Sequence, residues 1–236
     1  MERLKHVTAL AEKGDANAQY NLGIMYAKGQ EVAQDFSQTV KWSRMAADQG
    51  YAKAQYTLGI MYYDGEGLPK DDAEAALWFR KAADQGNAKA QYTLAIMYAN
   101  GQEVSQDYDE AVKLLRLAAA QGNAKAQYTY GIMHQRGHGV APDDRVATQW
   151  FRKAAAQGIG KAQFALAVMY LNGTGVPQDY VQAHKWFNIS GSNGLEPGRE
   201  NRELVAEKMT VEHIAQAQEL ARDWAEKHGA VYTKVR

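Results

Sequence analysis

A fixed repeat of 36 residues is the feature of this sequence that most constrains its fold. Five units follow one another from Asp15 to Gly194 without an insertion or a deletion. A glutamine followed by an aromatic residue marks each unit, at Gln19, Gln55, Gln91, Gln127 and Gln163. Periods of this length are typical of solenoids, in which each unit is one supersecondary element that packs only on its neighbours. The sequence therefore predicts a repeat protein.

Each unit divides into two predicted helices, named helix A and helix B. In the second unit Leu58 and Met61 lie on one apolar face of helix A, which Gly65 is expected to end. Helix B begins at an aspartate N-cap, with Glu or Gln three residues later as a capping box. These aspartates are Asp35, Asp71, Asp107, Asp143 and Asp179. The fourth unit has Val146 at the third position, so its helix B is expected to be the least well capped.

One helix pair cannot bury both its tryptophan and its tyrosine, so neighbouring units must stack to make a continuous core. We predict an all-α fold, a right-handed α-solenoid of antiparallel helix pairs with C-terminal capping helices. Residues 1–14 are interpreted as the second helix of a partial repeat, and 15–194 as five tandem repeats. Residues 195–236 are interpreted as a C-terminal capping helix pair and a tail, the tail at 231–236 being expected to be mobile.

Charge and composition exclude several classes of partner. The chain has 27 basic and 27 acidic residues, and a zero net charge argues against nucleic-acid binding, which needs a basic excess. No apolar run of about 18 residues is present, so no membrane insertion is expected. The absence of cysteine excludes disulfides and thiolate metal sites.

No catalytic motif is present. The best metal candidate is His134 with His138, but Gly137 interrupts the helix between them and no third ligand is evident. Paired acids such as Asp71 and Asp72 are interpreted as helix caps. We therefore predict no metal, no cofactor and no catalytic residue, and a protein that is not an enzyme.

A candidate binding surface lies on the side of helix A that faces away from the apolar stripe. It carries one row of aromatic residues, one of lysines and one of varying residues. The expected partner-binding residues are Tyr20, Tyr56, Tyr92 and Tyr128 for affinity, Lys53, Lys89, Lys125 and Lys161 beside them, and Tyr63, Asn100, Gln135 and Arg136 for selectivity. Two interpretations stay open for the tyrosines and the isoleucines that accompany them. They either pack between neighbouring repeats or anchor an extended peptide or a partner's helix.

The second unit resembles the Sel-one-like repeat family, a relative of tetratricopeptide repeats. The residues that carry the resemblance are Ala54, Leu58, Gly59, Tyr62, Gly65, Gly67, Leu68, Asp71, Ala75, Trp78, Lys81, Ala82, Ala83 and Gly86. Departures in other units are Glu31 and Glu103 for a loop glycine, Leu114 for the tryptophan and His134 for a tyrosine. The resemblance implies an adaptor or scaffold with its ligand on the concave helix A surface. It also favours a bacterial protein, periplasmic or secreted, although the N-terminal segment shows no signal peptide and the compartment stays unassigned.

The leading hypothesis is a non-catalytic scaffold or adaptor for a protein or peptide partner. One alternative is an envelope protein that binds or hydrolyses peptidoglycan-like amides, for which Asp64 and His134 are the available groups. Another is a partner that neutralises a specific toxin or effector. Self-association through the apolar face of the N-terminal half-repeat, near Leu4, Val7 and Leu10, is a further candidate interaction.

Overall fold

The computed structural model describes residues 2–228, and the tail predicted to be mobile at 231–236 lies outside this range. The described residues form thirteen α-helices and no strand, which confirms the all-α solenoid fold with its 36-residue repeat. The helices are α1 (Glu2–Glu12), α2 (Ala16–Lys28), α3 (Phe36–Asp48), α4 (Ala52–Asp64), α5 (Asp72–Asp84), α6 (Ala88–Asn100), α7 (Tyr108–Ala120), α8 (Ala124–Arg136), α9 (Asp144–Ala156), α10 (Gly160–Asn172), α11 (Tyr180–Ser192), α12 (Glu196–Ala206) and α13 (Val211–His228).

The chain divides into two compact units, unit 1 (Met1–Gln121) and unit 2 (Gly122–Arg236). In unit 1 each helix from α1 to α6 packs on the helix that follows it, so that the packing ends with α7. In unit 2 the helices from α8 to α11 pack in the same way, and α12 and α13 both pack on α11. Helices A are thus α2, α4, α6, α8 and α10, and the helices B that follow them are α3, α5, α7, α9 and α11.

Each helix B begins at its predicted aspartate, but the capping box is incomplete. The Asp71 carboxylate accepts from the Glu74 backbone N–H at 3.0 Å, as expected of an N-cap. The Asp71 backbone N–H donates to the Tyr62 carbonyl at 2.9 Å, which ties helix B to helix A of the same repeat. The Asp71 N–H therefore already has an acceptor, and the side chain of Glu74 is not needed to complete the capping box. The expectation that α9 is poorly capped is wrong, because Asp143 accepts from both Arg145 and Val146 backbone N–H groups at 2.9 and 3.0 Å.

The helix B tryptophan packs on the preceding repeat. Trp78 of α5 lies in one buried cluster with Ala46 and Ala47 of α3 and with Ala54 and Leu58 of α4. The alanine pair at the end of helix B is small, so the indole ring fits against it. This contact joins the second repeat to the end of helix B of the first repeat.

The glutamine that marks the repeat has a structural role that sequence reasoning missed. Gln55 is buried on α4, and its Nε2 donates to the Ala47 carbonyl at the end of α3 at 3.2 Å. Its Oε1 accepts from Gln85 Nε2 at 2.7 Å, just after α5. One buried amide therefore joins three consecutive helices with both its donor and its acceptor used. The same pair of bonds occurs at Gln19, Gln91 and Gln163.

The last two helices cover the end of the repeat array. The sequence spacing of Val211, Ile214, Ala217, Ala221 and Trp224 predicts one apolar stripe along the last helix. Ala217, Ala221 and Trp224 of α13 are buried, but Val211 is 79% exposed. The stripe therefore starts later than its sequence spacing indicates. No helix among the described residues combines the length and apolarity needed to cross a membrane.

Candidate functional site

The lysines of helices A are free of internal partners. Lys53, Lys89, Lys125 and Lys161 are all exposed, and none makes a side-chain hydrogen bond or ion pair with a described residue. Lysines of helices B behave differently, because Lys81 and Lys153 lie over the rings of Trp78 and Trp150 at 3.9 and 4.0 Å. Cation–π contact engages these ammonium groups internally. The helix A ammonium groups remain available to a ligand.

The aromatic row of helices A is half-buried, and in three repeats its ring packs on a phenylalanine of helix B of the same repeat. Tyr56 lies 5.7 Å from Phe79 between ring centroids, and Tyr128 lies 5.8 Å from Phe151. Burial raises the pKa of Tyr128, and the nearby Arg136 guanidinium partly opposes this shift. The aliphatic row is also half-buried, and in unit 2 Ile132 and Val168 pack on the core cluster. Each tyrosine thus has one side in the core and leaves an edge accessible.

One cavity in unit 1 brings four of the expected binding residues together. It has a volume of about 470 Å³ and is lined by Tyr20, Lys53, Tyr56 and Lys89. The turn that leads into α6 completes its wall with Gly86, Asn87 and Ala88, and Gln121 closes one side. The cavity therefore places two free ammonium groups beside two partly exposed phenol rings.

The chain fills the corresponding space one repeat earlier with its own side chain. Tyr51 occupies the repeat position of Asn87, and its ring lies 5.4 Å from the ring of Tyr20. Its hydroxyl accepts from Asn17 Nδ2 at 3.1 Å, and Asn17 stands at the repeat position of Lys53. Asn87 is shorter, and its side-chain oxygen caps α6 by accepting from the Lys89 and Ala90 backbone N–H groups at 3.1 and 3.0 Å.

Sequence reasoning missed Asn87, although a signal was present. This repeat position varies widely in a sequence that is otherwise regular, as Asp15, Tyr51, Asn87, Asn123 and Ile159. Only the packing shows that the variation opens or fills a space between helices A.

The residues expected to confer selectivity differ in their surroundings. Tyr63 is held by internal contacts, since its hydroxyl accepts from Gln102 Nε2 at 3.3 Å and Lys70 Nζ lies 5.3 Å from its ring. Asn100 is exposed at the end of α6. In unit 2, Arg136 is exposed and Gln135 Nε2 lies 3.5 Å from Met169 Sδ. Tyr92 is half-buried on α6. Their roles in binding stay predictions.

The groups considered for hydrolysis or metal binding include Asp64 and His134, which belong to different units. Asp64 is exposed at the end of α4 in unit 1, whereas His134 belongs to α8 in unit 2. The His134 ring meets Tyr130 edge-on at 4.8 Å, and neither ring nitrogen has a hydrogen-bond partner among the described residues. Burial lowers the pKa of His134, although Asp143 and the backbone at Ala141 oppose the shift. No cluster of three potential metal ligands occurs among the described residues.

Comparison with known proteins gives one family. The Sel1 repeat matches five consecutive segments, at 16–51, 52–87, 88–123, 124–159 and 160–195. A Sel1 repeat protein from Oxalobacter formigenes is similar in structure, with a TM-score of 0.75 and 31% identity over 94% of this chain and 88% of that chain. The protective antigen c5321 of uropathogenic Escherichia coli, which displays an SLR fold, has a TM-score of 0.66 and 30% identity over 99% of this chain and 60% of its own.

A putative Sel1 repeat protein from Klebsiella pneumoniae shares the fold, with a TM-score of 0.52 and 24% identity over 86% of this chain and 99% of that chain. A search among curated proteins gave no significant match.

Proposed function

This chain belongs to the Sel1 repeat family, and we propose that it is a non-catalytic scaffold that binds a protein or peptide partner on the exposed face of its helices A. Sel1 repeat proteins generally mediate protein–protein interactions, and the family is typically non-catalytic. What we propose beyond this general role is that the partner binds on helices A and that the protein catalyses no reaction.

The observation that carries the proposal is the set of unpartnered lysines beside partly exposed tyrosines on helices A. Interfaces combine aromatic anchors near their centre with a polar rim. Lys53 and Lys89 with Tyr20 and Tyr56 provide this combination around one cavity. Helices B are a poorer candidate surface, because the ammonium groups of Lys81 and Lys153 lie over tryptophan rings.

Charge reversal on helices A tests the proposal without disturbing the core. The double variant Lys53→Glu/Lys89→Glu changes two exposed side chains that make no hydrogen bond or ion pair with a described residue. Used as bait in the lysate of the source organism, it should lose at least about nine-tenths of a protein that the parent chain retains, since like charges across an interface repel. Quantitative mass spectrometry of the retained proteins measures this loss.

The control reverses two exposed lysines of helices B, Lys41→Glu/Lys113→Glu. Lys41 lies over the Trp42 ring at 5.1 Å and Lys113 pairs with Glu110 at 3.1 Å, so this control removes internal contacts in addition to reversing charge. Circular dichroism should show the same helicity for both variants and the parent. Retention of the partner by the helix A variant, or equal loss with the helix B control, would contradict binding on helices A.

A further inference from the structure

We propose that the cavity lined by Tyr20, Lys53, Tyr56 and Lys89 binds an acidic segment of the partner protein. A carboxylate of that segment pairs with Lys53 and Lys89, and a neighbouring apolar or aromatic side chain lies on Tyr56. This inference rests on the proposed function and names the chemistry of the partner. Three observations support it. They are the basic excess on helices A, the way Tyr51 fills the corresponding space one repeat earlier, and the size of the cavity.

Charge is distributed unevenly between the helices of this neutral chain. The helices A carry six basic residues, Lys28, Lys53, Lys89, Lys125, Arg136 and Lys161, and one acidic residue, Asp64. The balancing acids lie elsewhere, many of them at the start of helices B. An excess of one sign on one set of helices favours a partner of the opposite sign. The cavity also contains no acidic side chain in its lining.

The contact made by Tyr51 shows what kind of group fits this type of space. An aromatic ring lies on the helix A tyrosine, and an oxygen acceptor meets the residue three positions earlier, Asn17. In the next repeat that residue is Lys53, and Lys89 lines the cavity beside it. An acceptor placed between two ammonium groups is favoured as a carboxylate, because charge-assisted hydrogen bonds are about twice as strong as neutral ones.

The volume of the cavity suits side chains of a peptide. About 470 Å³ lies within the range of about 300–1,000 Å³ that is usual for ligand pockets. An acidic side chain and the apolar side chain beside it fit such a space while the backbone of the segment stays outside. A nucleic-acid base could also stack on a tyrosine, so an oligonucleotide is included in the test as the competing ligand.

Fluorescence anisotropy with defined probes tests the proposal. The probes are a fluorescein-labelled octapeptide of alternating Glu and Phe, the same peptide with Gln in place of Glu, and labelled oligouridylate. We expect the acidic peptide to bind at least ten-fold more tightly than the Gln peptide. Its affinity should also fall between 50 and 300 mM salt, since the pairing is electrostatic and salt screens it.

Two variants locate the binding. Asn87→Tyr places a tyrosine where Tyr51 stands in the preceding repeat, so it fills the cavity while all lysines remain. The start of α4 at Tyr51 has no side-chain cap, which shows that the fold accepts tyrosine at this position. We expect Asn87→Tyr and Lys53→Gln/Lys89→Gln each to weaken binding of the acidic peptide at least ten-fold, and Lys41→Gln/Lys113→Gln to leave it unchanged.

Each result decides the inference. Equal affinity for the Gln peptide, tighter binding of oligouridylate, or unchanged binding by Lys53→Gln/Lys89→Gln would overturn it. Unchanged binding by a folded Asn87→Tyr would also overturn it, and if that variant does not fold, the lysine pair decides alone. Failure of the acidic peptide together with loss of the natural partner from Lys53→Glu/Lys89→Glu would reject this inference and leave the proposed function standing.

Discussion

At the residue scale, Glu31 and Glu103 keep a backbone conformation that glycine adopts in the other repeats. Their φ angles are 60° and 55°, while Gly67, Gly139 and Gly175 have φ angles of 75°, 69° and 69°. A residue with a Cβ pays about 1–2 kcal/mol for this left-handed conformation. The loop therefore has the same path in all five repeats, because the helix ends on either side of it are held by their caps. At Glu31 and Glu103 the replacement of glycine therefore changes the local energy and not the backbone conformation.

His184 is a second residue whose properties are set by its surroundings, because burial changes its pKa. It is 2% exposed on α11, and its Nδ1 has no partner among the described residues. Burial, with a smaller contribution from the Arg202 guanidinium, lowers the pKa of His184 to about 4. The imidazole is therefore neutral in the folded protein over the pH range in which it becomes protonated in the unfolded chain.

We predict that His184 makes the protein less stable as the pH falls from 7 to 5. The unfolded chain binds a proton with a pKa near 6.5 and the folded chain does not, so the free energy of unfolding falls below that pH. The loss due to His184 should reach about 2 kcal/mol at pH 5. Urea unfolding at pH 7 and pH 5 measures it.

His184→Val is the matched control, since Val40 and Val112 occupy the same repeat position. This variant retains every carboxylate, so only the histidine contribution should disappear from its pH dependence. Identical pH dependences for the parent and the variant would show that His184 titrates alike in both states.

At the element scale, one large side chain recurs at the same position of every helix B, and Trp42, Trp78 and Trp186 pack there on the preceding helices. Trp42, Trp78 and Trp186 are buried at this position, and Leu114 is buried in the third repeat. Trp150 is only half-buried and meets Tyr130 edge-on at 5.3 Å. The other four repeats have a leucine at the position of Tyr130. The position thus accepts different shapes as long as it covers the alanine pair.

We predict that Trp78→Ala costs about 3–5 kcal/mol of unfolding free energy, because it leaves a cavity between α5 and the preceding helix pair. Trp78→Leu should cost clearly less, since Leu114 fills the same position in the next repeat. Denaturant unfolding followed by circular dichroism compares the three proteins. A Trp78→Ala variant as stable as the parent would show that the indole does not hold the repeats together.

At the scale of the whole molecule, α12 and α13 do for unit 2 what a further repeat would do. Val205, Ala221, Trp224 and Ala225 join the cluster that contains Phe187. Trp224 also meets Trp186 edge-on at 5.8 Å between ring centroids. A repeat buries its apolar face only against a neighbour, so the final helix pair must supply that neighbour.

We predict that a chain ending at Gly194 loses more than about 3 kcal/mol of stability, because two buried aromatic side chains of α11 become exposed. It should also bind more of the dye ANS than the parent chain does. Removal of residues 2–14 is the comparison: it takes away one buried side chain, Ala11, and the carbonyl that accepts from Gln19 Nε2, so it should cost stability but less than the loss of α12 and α13. Equal losses for the two truncations would show that α12 and α13 are not a specific cap.

Sequence alone determined the repeat, the two helices in each unit, the aspartate caps and the glycine ends. These features follow from local chemistry and from a spacing that recurs five times, so each copy repeats the same prediction. The free lysines were also foreseen as a row on helices A. The sequence could not predict that these lysines lack acidic partners, because that depends on which side chains of other helices come near them.

The tertiary structure decided where the candidate binding surface of helices A contains a cavity. Tyr20 and Tyr56 both follow an Ala-Gln pair on helix A and both line the cavity, yet the ring of Tyr20 also packs on Tyr51, whereas Asn87 stands at the corresponding position beside Tyr56. The difference comes from a side chain about 30 residues away, at the start of the next helix A. Periodicity describes what each repeat has in common, whereas a cavity arises from the volume of one particular side chain in the space between two repeats. For that reason the fold followed from the sequence and the candidate site needed the packing.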